Sequence, residues 1–246
     1  MKNNIYHFLS NIKYKTGALA LIDPDSKNND RIVEMVDKIE FSNFDAILVG
    51  GSRLSDNQCH DRIKKIKSLT SKPVILFPGS SDQLNKHVDA ILYLSLISGR
   101  DSRYLIDEHV KSALKIYDLN IETIPVGYIL IDGGRVSAVQ EVTSTQPLEV
   151  DDDKSILSHA LAGQYLGYKF IFLESGSGAN EPINSNTVKI LKEYIQIPLI
   201  VGGGIVTISD IENLKENAPD FIVIGNFLEC EDNKNQLKDM VELIHD

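Results

Sequence analysis

Short, uninterrupted apolar runs alternate along this chain with longer stretches whose apolar residues recur at helical spacing. Residues 18–22, Ala-Leu-Ala-Leu-Ile, are the first such run. With no polar face, a strand there must be covered on both sides. Asp23-Pro24-Asp25 ends it, and Ile32, Val33, Val36 and Ile39 then recur at i, i+1, i+4 and i+7, the stripe of a helix. Residues 46–49, closed by Gly50-Gly51-Ser52, predict a second strand. A charged helix carrying Ile63 and Ile66 leads to a third at 74–77, ended by Pro78-Gly79-Ser80-Ser81. A fourth strand is predicted at 88–94, a helix at 102–117 through Leu105, Val110, Leu114 and Tyr117, and a fifth strand at 126–131. Residues 136–142 read as a β-rich excursion before a helix at about 152–166. Strands at 170–173, 198–201 and 221–224 then alternate with helices at 186–194, 209–215 and 233–244.

Eight short strands alternating with helices predict parallel βαβ units, and eight of these can close into a ring. The 246 residues, 42% of them hydrophobic, suit a single (β/α)8 TIM barrel spanning 1–246, a fold that takes about 250. An open doubly wound sheet is the alternative, but it carries its Gly-rich loop after the first strand. Here such loops follow strands six, seven and eight.

Charge and cysteine content narrow the class of function. With 25 basic against 35 acidic residues the chain carries −10, which excludes the basic face needed for nucleic acid. Cys59 and Cys230 lack zinc or redox spacing, which fits a reducing cytoplasm. Residues 1–7 hold no long apolar run, and no segment approaches the roughly 20 apolar residues of a transmembrane span.

The chemistry gathers at the last three strand ends. Phe172-Leu173-Glu174-Ser175-Gly176-Ser177-Gly178 places a carboxylate directly before a Gly/Ser loop, whose backbone N–H groups can approach an anion closely. Gly202-Gly203-Gly204 and Gly225-Asn226 follow the next two strands, where barrels build phosphate sites. Each alone reads equally as a tight turn; together they predict one phosphate site. Glu174, at the rim beside it, is placed to accept a hydroxyl proton. Asp23, Asp25 and Ser52 end the first two strands, with oxygens suited to Mg²⁺, although capping of the first helix would also explain the aspartates. Asp151-Asp152-Asp153 is read as a helix start, not a metal site. His60, His87, His109 and His159 have no second ligand at metal spacing. Gly133-Gly134-Arg135 reads either as a phosphate-facing guanidinium or as a hairpin turn.

Taken in order, Leu21-Ile22-Asp23-Pro24-Asp25, Val49-Gly50-Gly51-Ser52, the segment from Phe172 to Ala179, the one from Val201 to Ile205, and Ile224-Gly225-Asn226 span most of the chain. In these motifs it resembles the geranylgeranylglyceryl phosphate synthase family, in particular its longer, archaeal-like subgroup. The resemblance implies a prenyltransferase on a modified TIM barrel that joins a polyprenyl diphosphate, geranylgeranyl diphosphate foremost, to sn-glycerol 1-phosphate as an ether. It implies glycerol phosphate binding by Phe172, Leu173, Glu174, Ser175, Gly176, Ser177, Gly178, Gly203, Gly204, Gly225 and Asn226, with Glu174 as the base. It further implies Mg²⁺ on Asp23 and Ser52, with Asp25 as neighbour, and a homo-oligomer, dimer or hexamer. Phe172 and Ser175 depart from the Tyr and Ala of many members. A lost helix near the fourth strand would leave a prenyl groove lined by Tyr93, Leu94, Leu96 and Ile97, and Tyr104 would match an aromatic at oligomer contacts. From the residues alone, an isomerase or lyase barrel and a non-catalytic binder of phosphorylated lipid are the competing readings.

Overall fold

The fully apolar runs become strands because only a closed parallel sheet covered by helices hides both of their faces. The computed structural model describes residues 4–53 and 55–246; the first three residues of the N-terminal stretch read above, and Leu54, lie outside the described residues. The strands are β1 Gly17–Ile22, β2 Ala46–Val49, β3 Val74–Leu76, β4 Ala90–Leu96, β5 Glu122–Leu130, β6 Phe170–Glu174, β7 Leu199–Gly202 and β8 Phe221–Ile224. They close in sequence order, with β1 paired to both β2 and β8. The helices are α1 Asn4–Ser10, α2 Ile32–Ser42, α3 Cys59–Ser68, α4 Glu108–Leu119, α5 Ala138–Thr143, α6 Asp153–Tyr165, α7 Ser185–Tyr194, α8 Ile208–Lys215 and α9 Lys234–His245.

Strand alternation divides the core in two. Leu19, Leu48, Leu92, Val126, Phe170, Phe172 and Phe221 fill the barrel, whereas Ala20, Ile47, Ile171, Leu173 and Val201 pack outward with Met35, Ile63, Val188 and Met240 of the helices. α1 closes the end opposite the strand C-termini: Glu122 accepts hydrogen bonds from the backbone N–H groups of Ile5 and Tyr6, both at 2.8 Å. The chemistry is thereby confined to the other end.

One departure from barrel regularity shapes that end. Between β3 and β4 a single 3₁₀ turn, Ser81–Gln83, stands where a helix would cover the sheet. β3 and β4 pair only at Ile75↔Ala90 and Leu76↔Ile91, and β4 then continues to Leu96 paired with β5 alone. The uncovered edge opens a groove.

Several expectations are corrected. Residues 136–142 are not β-rich: Ser137 accepts a hydrogen bond from the Gln140 N–H and caps α5, so Val139 and Val142, three apart, face one way on a helix. β4 begins and ends two residues later than predicted, and β5 begins at Glu122 and continues through Pro125, whose carbonyl still accepts from the Lys169 N–H. The stretch at 102–117 opens as a π-turn, Arg103–Asp107, before α4. The apolar residues read there do not face the core: Val110, Leu114 and Tyr117 are 70%, 79% and 73% exposed, and Ser112 and Ile116 are buried instead. The triple aspartate is a helix start, with Asp152 accepting from the Ser155 N–H.

Candidate active site

Glu174 is the last residue of β6, and alternation turns it with Phe172 toward the barrel axis while Leu173 packs outward. Only 7% exposed, its carboxylate accepts a hydrogen bond from the Gly176 N–H at 2.8 Å. Burial pushes its pKa up to about 7, against the smaller opposing effect of that N–H. Such a carboxylate is a base poised at neutral pH.

Beside it lies a smaller cavity of about 420 Å³. Glu174, Ser177, Gly178, Gly203, Gly204, Gly225 and Asn226 line it, so the loops after β6, β7 and β8 do converge. The Ser177 hydroxyl donates to Asn226 Oδ1 at 2.8 Å, tying the first loop to the third. Phe172, Leu173, Ser175 and Gly176 do not line the cavity: Leu173 packs under the helices, Phe172 packs inside the barrel, and Gly176 acts through its N–H on Glu174. Leu21, Ile205, Val206 and Val223 complete the wall and were not read from the sequence, because nothing in their apolar character marks them. Arg135 is no hairpin residue; its guanidinium donates to the Gly178 carbonyl at 3.0 Å, bracing the rim of the same loop.

Asp23 and Ser52 stand at neighbouring strand ends. The Asp23 carboxylate lies against Gly51, where an added Cβ would sit 2.5 Å from its Oδ1, and that Oδ1 is buried with no hydrogen-bond partner. Burial raises the Asp23 pKa to about 6, with Lys27 opposing. A buried, unpartnered carboxylate oxygen at the strand end next to that of Ser52 fits Mg²⁺, which takes one or two protein carboxylates and keeps several waters. Among the described residues no group of three or more His, Cys, Asp or Glu side chains gathers for a metal, so the donor set is a sparse one. Asp25 faces elsewhere: burial pushes its pKa up, but hydrogen bonds from the Ser55 hydroxyl and N–H outweigh this and hold it below the ordinary value. Arg62 grips Asp56 through two 2.7 Å contacts and reaches the Pro24 carbonyl at 3.4 Å, binding the two loops together.

The groove at the β3–β4 edge is an open cavity of about 870 Å³ and mostly apolar. It runs from Gly51, Ser52 and Ser80 past Phe77, Leu92, Leu94, Leu96 and Tyr128 to Tyr93, His109 and Ser112. Of the residues foreseen as lining, Tyr93, Leu94 and Leu96 belong to it, and Ile97 instead packs against Gly127 and Gly163; Tyr104, expected at an oligomer contact, lines the groove as well. His109 was not foreseen. Its Nε2 lies 3.1 Å from Ser95 Oγ, and burial lowers its pKa, which favours a neutral ring. Three aromatic rings separate groove from cavity: Phe77 and Phe172 stack at 5.2 Å, and Tyr128 lies 5.4 Å from Phe172. Groove and cavity are thus separate places, with Glu174 on the cavity side.

The chain is similar to known proteins along nearly all of its length. Residues 10–244 match the PcrB family. A geranylgeranylglyceryl phosphate synthase of Chitinophaga pinensis is 38% identical over 251 residues, covering 100% of this chain and 97% of that protein. The crystal structure of (S)-3-O-geranylgeranylglyceryl phosphate synthase from Thermoplasma acidophilum, in complex with its substrate sn-glycerol-1-phosphate, superposes with a TM-score of 0.92 at 33% identity, covering 100% of this chain and 99% of that one. A thiamine phosphate pyrophosphorylase from Pyrococcus furiosus, at 12% identity and a TM-score of 0.60 with 95% and 98% coverage, shares the fold alone.

Proposed function

The chain belongs to the PcrB family, and from that premise we propose that it is a geranylgeranylglyceryl phosphate synthase, joining a polyprenyl diphosphate to the 3-hydroxyl of sn-glycerol 1-phosphate. The observation that carries the reading is Glu174, a carboxylate poised near neutrality in a glycine-lined cavity, with an apolar groove on the far side of the three aromatic rings. The isomerase and lyase alternatives give the groove no task, and a non-catalytic binder gives none to a base at Glu174.

The glycerol phosphate lies in the cavity of the last three loops, its phosphate on the loops of Gly203-Gly204 and Gly225-Asn226 and its free hydroxyl toward Glu174. The prenyl tail lies in the groove. The hydroxyl oxygen bonds to the prenyl C1 as the bond from C1 to the diphosphate oxygen breaks; the diphosphate leaves with the electron pair and Glu174 takes the hydroxyl proton. Asp23 and Ser52 would hold the Mg²⁺, which when bound supplies positive charge for the departing diphosphate. The exposed Val110, Leu114 and Tyr117 of α4 support assembly as a homo-oligomer; Leu114→Lys is expected to lower the particle mass read by light scattering.

Two measurements test this assignment of places. A base at about 7 must be deprotonated to work, so kcat/KM rises with pH through that value. Below about 6, protonation of Asp23 steepens the fall. A profile flat from about pH 5.5 to 8 would remove Glu174 from its role. In the groove, Ser112 is buried on α4, away from Ser52. Ser112→Phe fills that far end and is expected to shift donor preference to a chain about one isoprene unit shorter, read as relative kcat/KM over a donor series.

A further inference from the structure

We propose that Arg53 binds the diphosphate of the prenyl donor, and that Glu141 holds its guanidinium across the mouth of the groove while no donor is bound. The inference rests on reading the groove as the donor site. Arg53 directly follows Ser52, which lines the groove at its polar end; Glu141 stands on α5 between Val139 and Val142, which line the opposite wall. Arg53 Nη2 and Glu141 Oε2 meet at 2.6 Å, joining the two walls, and the side chains are 62% and 50% exposed. An ion pair so exposed is weakly held and yields to a competing anion of higher charge.

The local charge favours a cation in addition to the Mg²⁺ that Asp23 and Ser52 would hold. A diphosphate arriving at Ser52 meets the Asp23 carboxylate of the neighbouring strand end on a chain of net charge −10. The other cations near these strand ends are engaged: Lys27 pairs with Glu229 at 3.2 Å, Arg62 is buried on Asp56, and Arg135 braces the Gly178 carbonyl on the glycerol phosphate side. Arg53 can leave its partner without opening the fold. Its planar fork matches two phosphate oxygens at once, which an ammonium cannot do. Exchange of Glu141 for diphosphate would also open the mouth at the moment the donor enters.

Equilibrium dialysis of labelled geranylgeranyl diphosphate without glycerol phosphate, with geranylgeraniol as uncharged control, tests the proposal by binding alone. Arg53→Ala is expected to weaken diphosphate binding about tenfold, the scale of one charge-assisted contact, and Arg53→Lys to recover part of the loss. Glu141→Gln is expected to tighten binding about two- to threefold, since nothing then competes for the guanidinium, and to have no effect once Arg53 is Ala. Geranylgeraniol binding stays unchanged throughout. Unaltered diphosphate binding in Arg53→Ala, equal weakening by Glu141→Gln, or a parallel loss of geranylgeraniol binding would overturn the proposal. Wild-type protein that binds neither ligand would bring down the donor-site reading itself, and this inference with it.

Discussion

Glu174→Gln should lower turnover about a thousandfold while leaving sn-glycerol 1-phosphate binding near the wild-type level. The amide keeps the shape of the carboxylate, and its Oε1 can still accept the Gly176 N–H that Glu174 accepts at 2.8 Å. What it lacks is a lone pair basic enough to take the hydroxyl proton. The same substitution should stabilise the fold. A carboxylate whose folded pKa is raised to about 7 destabilises the native state wherever the unfolded chain would ionise it. This cost is absent below the ordinary carboxylate range, grows as pH rises toward about 7, and is full above it. At alkaline pH the variant should therefore gain on the order of 2 kcal/mol, and in acid nothing. Single-turnover kinetics, calorimetric titration with glycerol phosphate and urea melts at two pH values read the three effects. Unchanged turnover, or loss of turnover only in proportion to lost binding, would show that Glu174 is not the base.

Gly203→Ala is expected to abolish glycerol phosphate binding at millimolar concentrations and to cost about 2 kcal/mol of stability. Two causes combine. The backbone there has φ +89°, a region that side chains disfavour. An added Cβ would also lie 2.6 Å from Glu174 Oε1, 2.7 Å from Ser175 Oγ and 2.8 Å from the Gly176 nitrogen, displacing both the base and its partner. Gly167 separates the two, because it has the same φ of +89° with nothing within 4 Å. Gly167→Ala should lose stability but keep binding. If Gly203→Ala behaves like Gly167→Ala in calorimetric titration and urea denaturation, the close approach of the loops at Gly203 has no part in the site.

What could be read in advance followed from the physics of burial. β1, β2, β6 and β8 are apolar at nearly every position because helices cover one face and the barrel interior the other, and a short run with no polar face is stable in few settings besides a covered sheet. The loops after β6, β7 and β8 were legible through Gly178, Gly203, Gly204 and Gly225, since glycine at a strand's end announces close backbone approach. α5 was misread because Val136, Val139 and Val142 favour strands, while the cap that decides the matter is the hydroxyl of Ser137. α4 carries apolar residues on the side away from the core, which periodicity alone could not orient. The groove exists because a helix is missing between β3 and β4, so its wall is built from unmarked core leucines. The pairing of Arg53 with Glu141 joins residues 88 apart and has no local signature.

The central claim is that the cavity binds glycerol phosphate, the groove binds a prenyl chain, and Glu174 takes the hydroxyl proton as the two are joined. The measurement that tests it most directly is transfer from labelled geranylgeranyl diphosphate to sn-glycerol 1-phosphate with Mg²⁺ present, with sn-glycerol 3-phosphate as control. The account predicts an ether product from the first acceptor, little from the second, and none with Glu174→Gln. Folded protein that binds glycerol phosphate yet yields no ether from any prenyl diphosphate would contradict it.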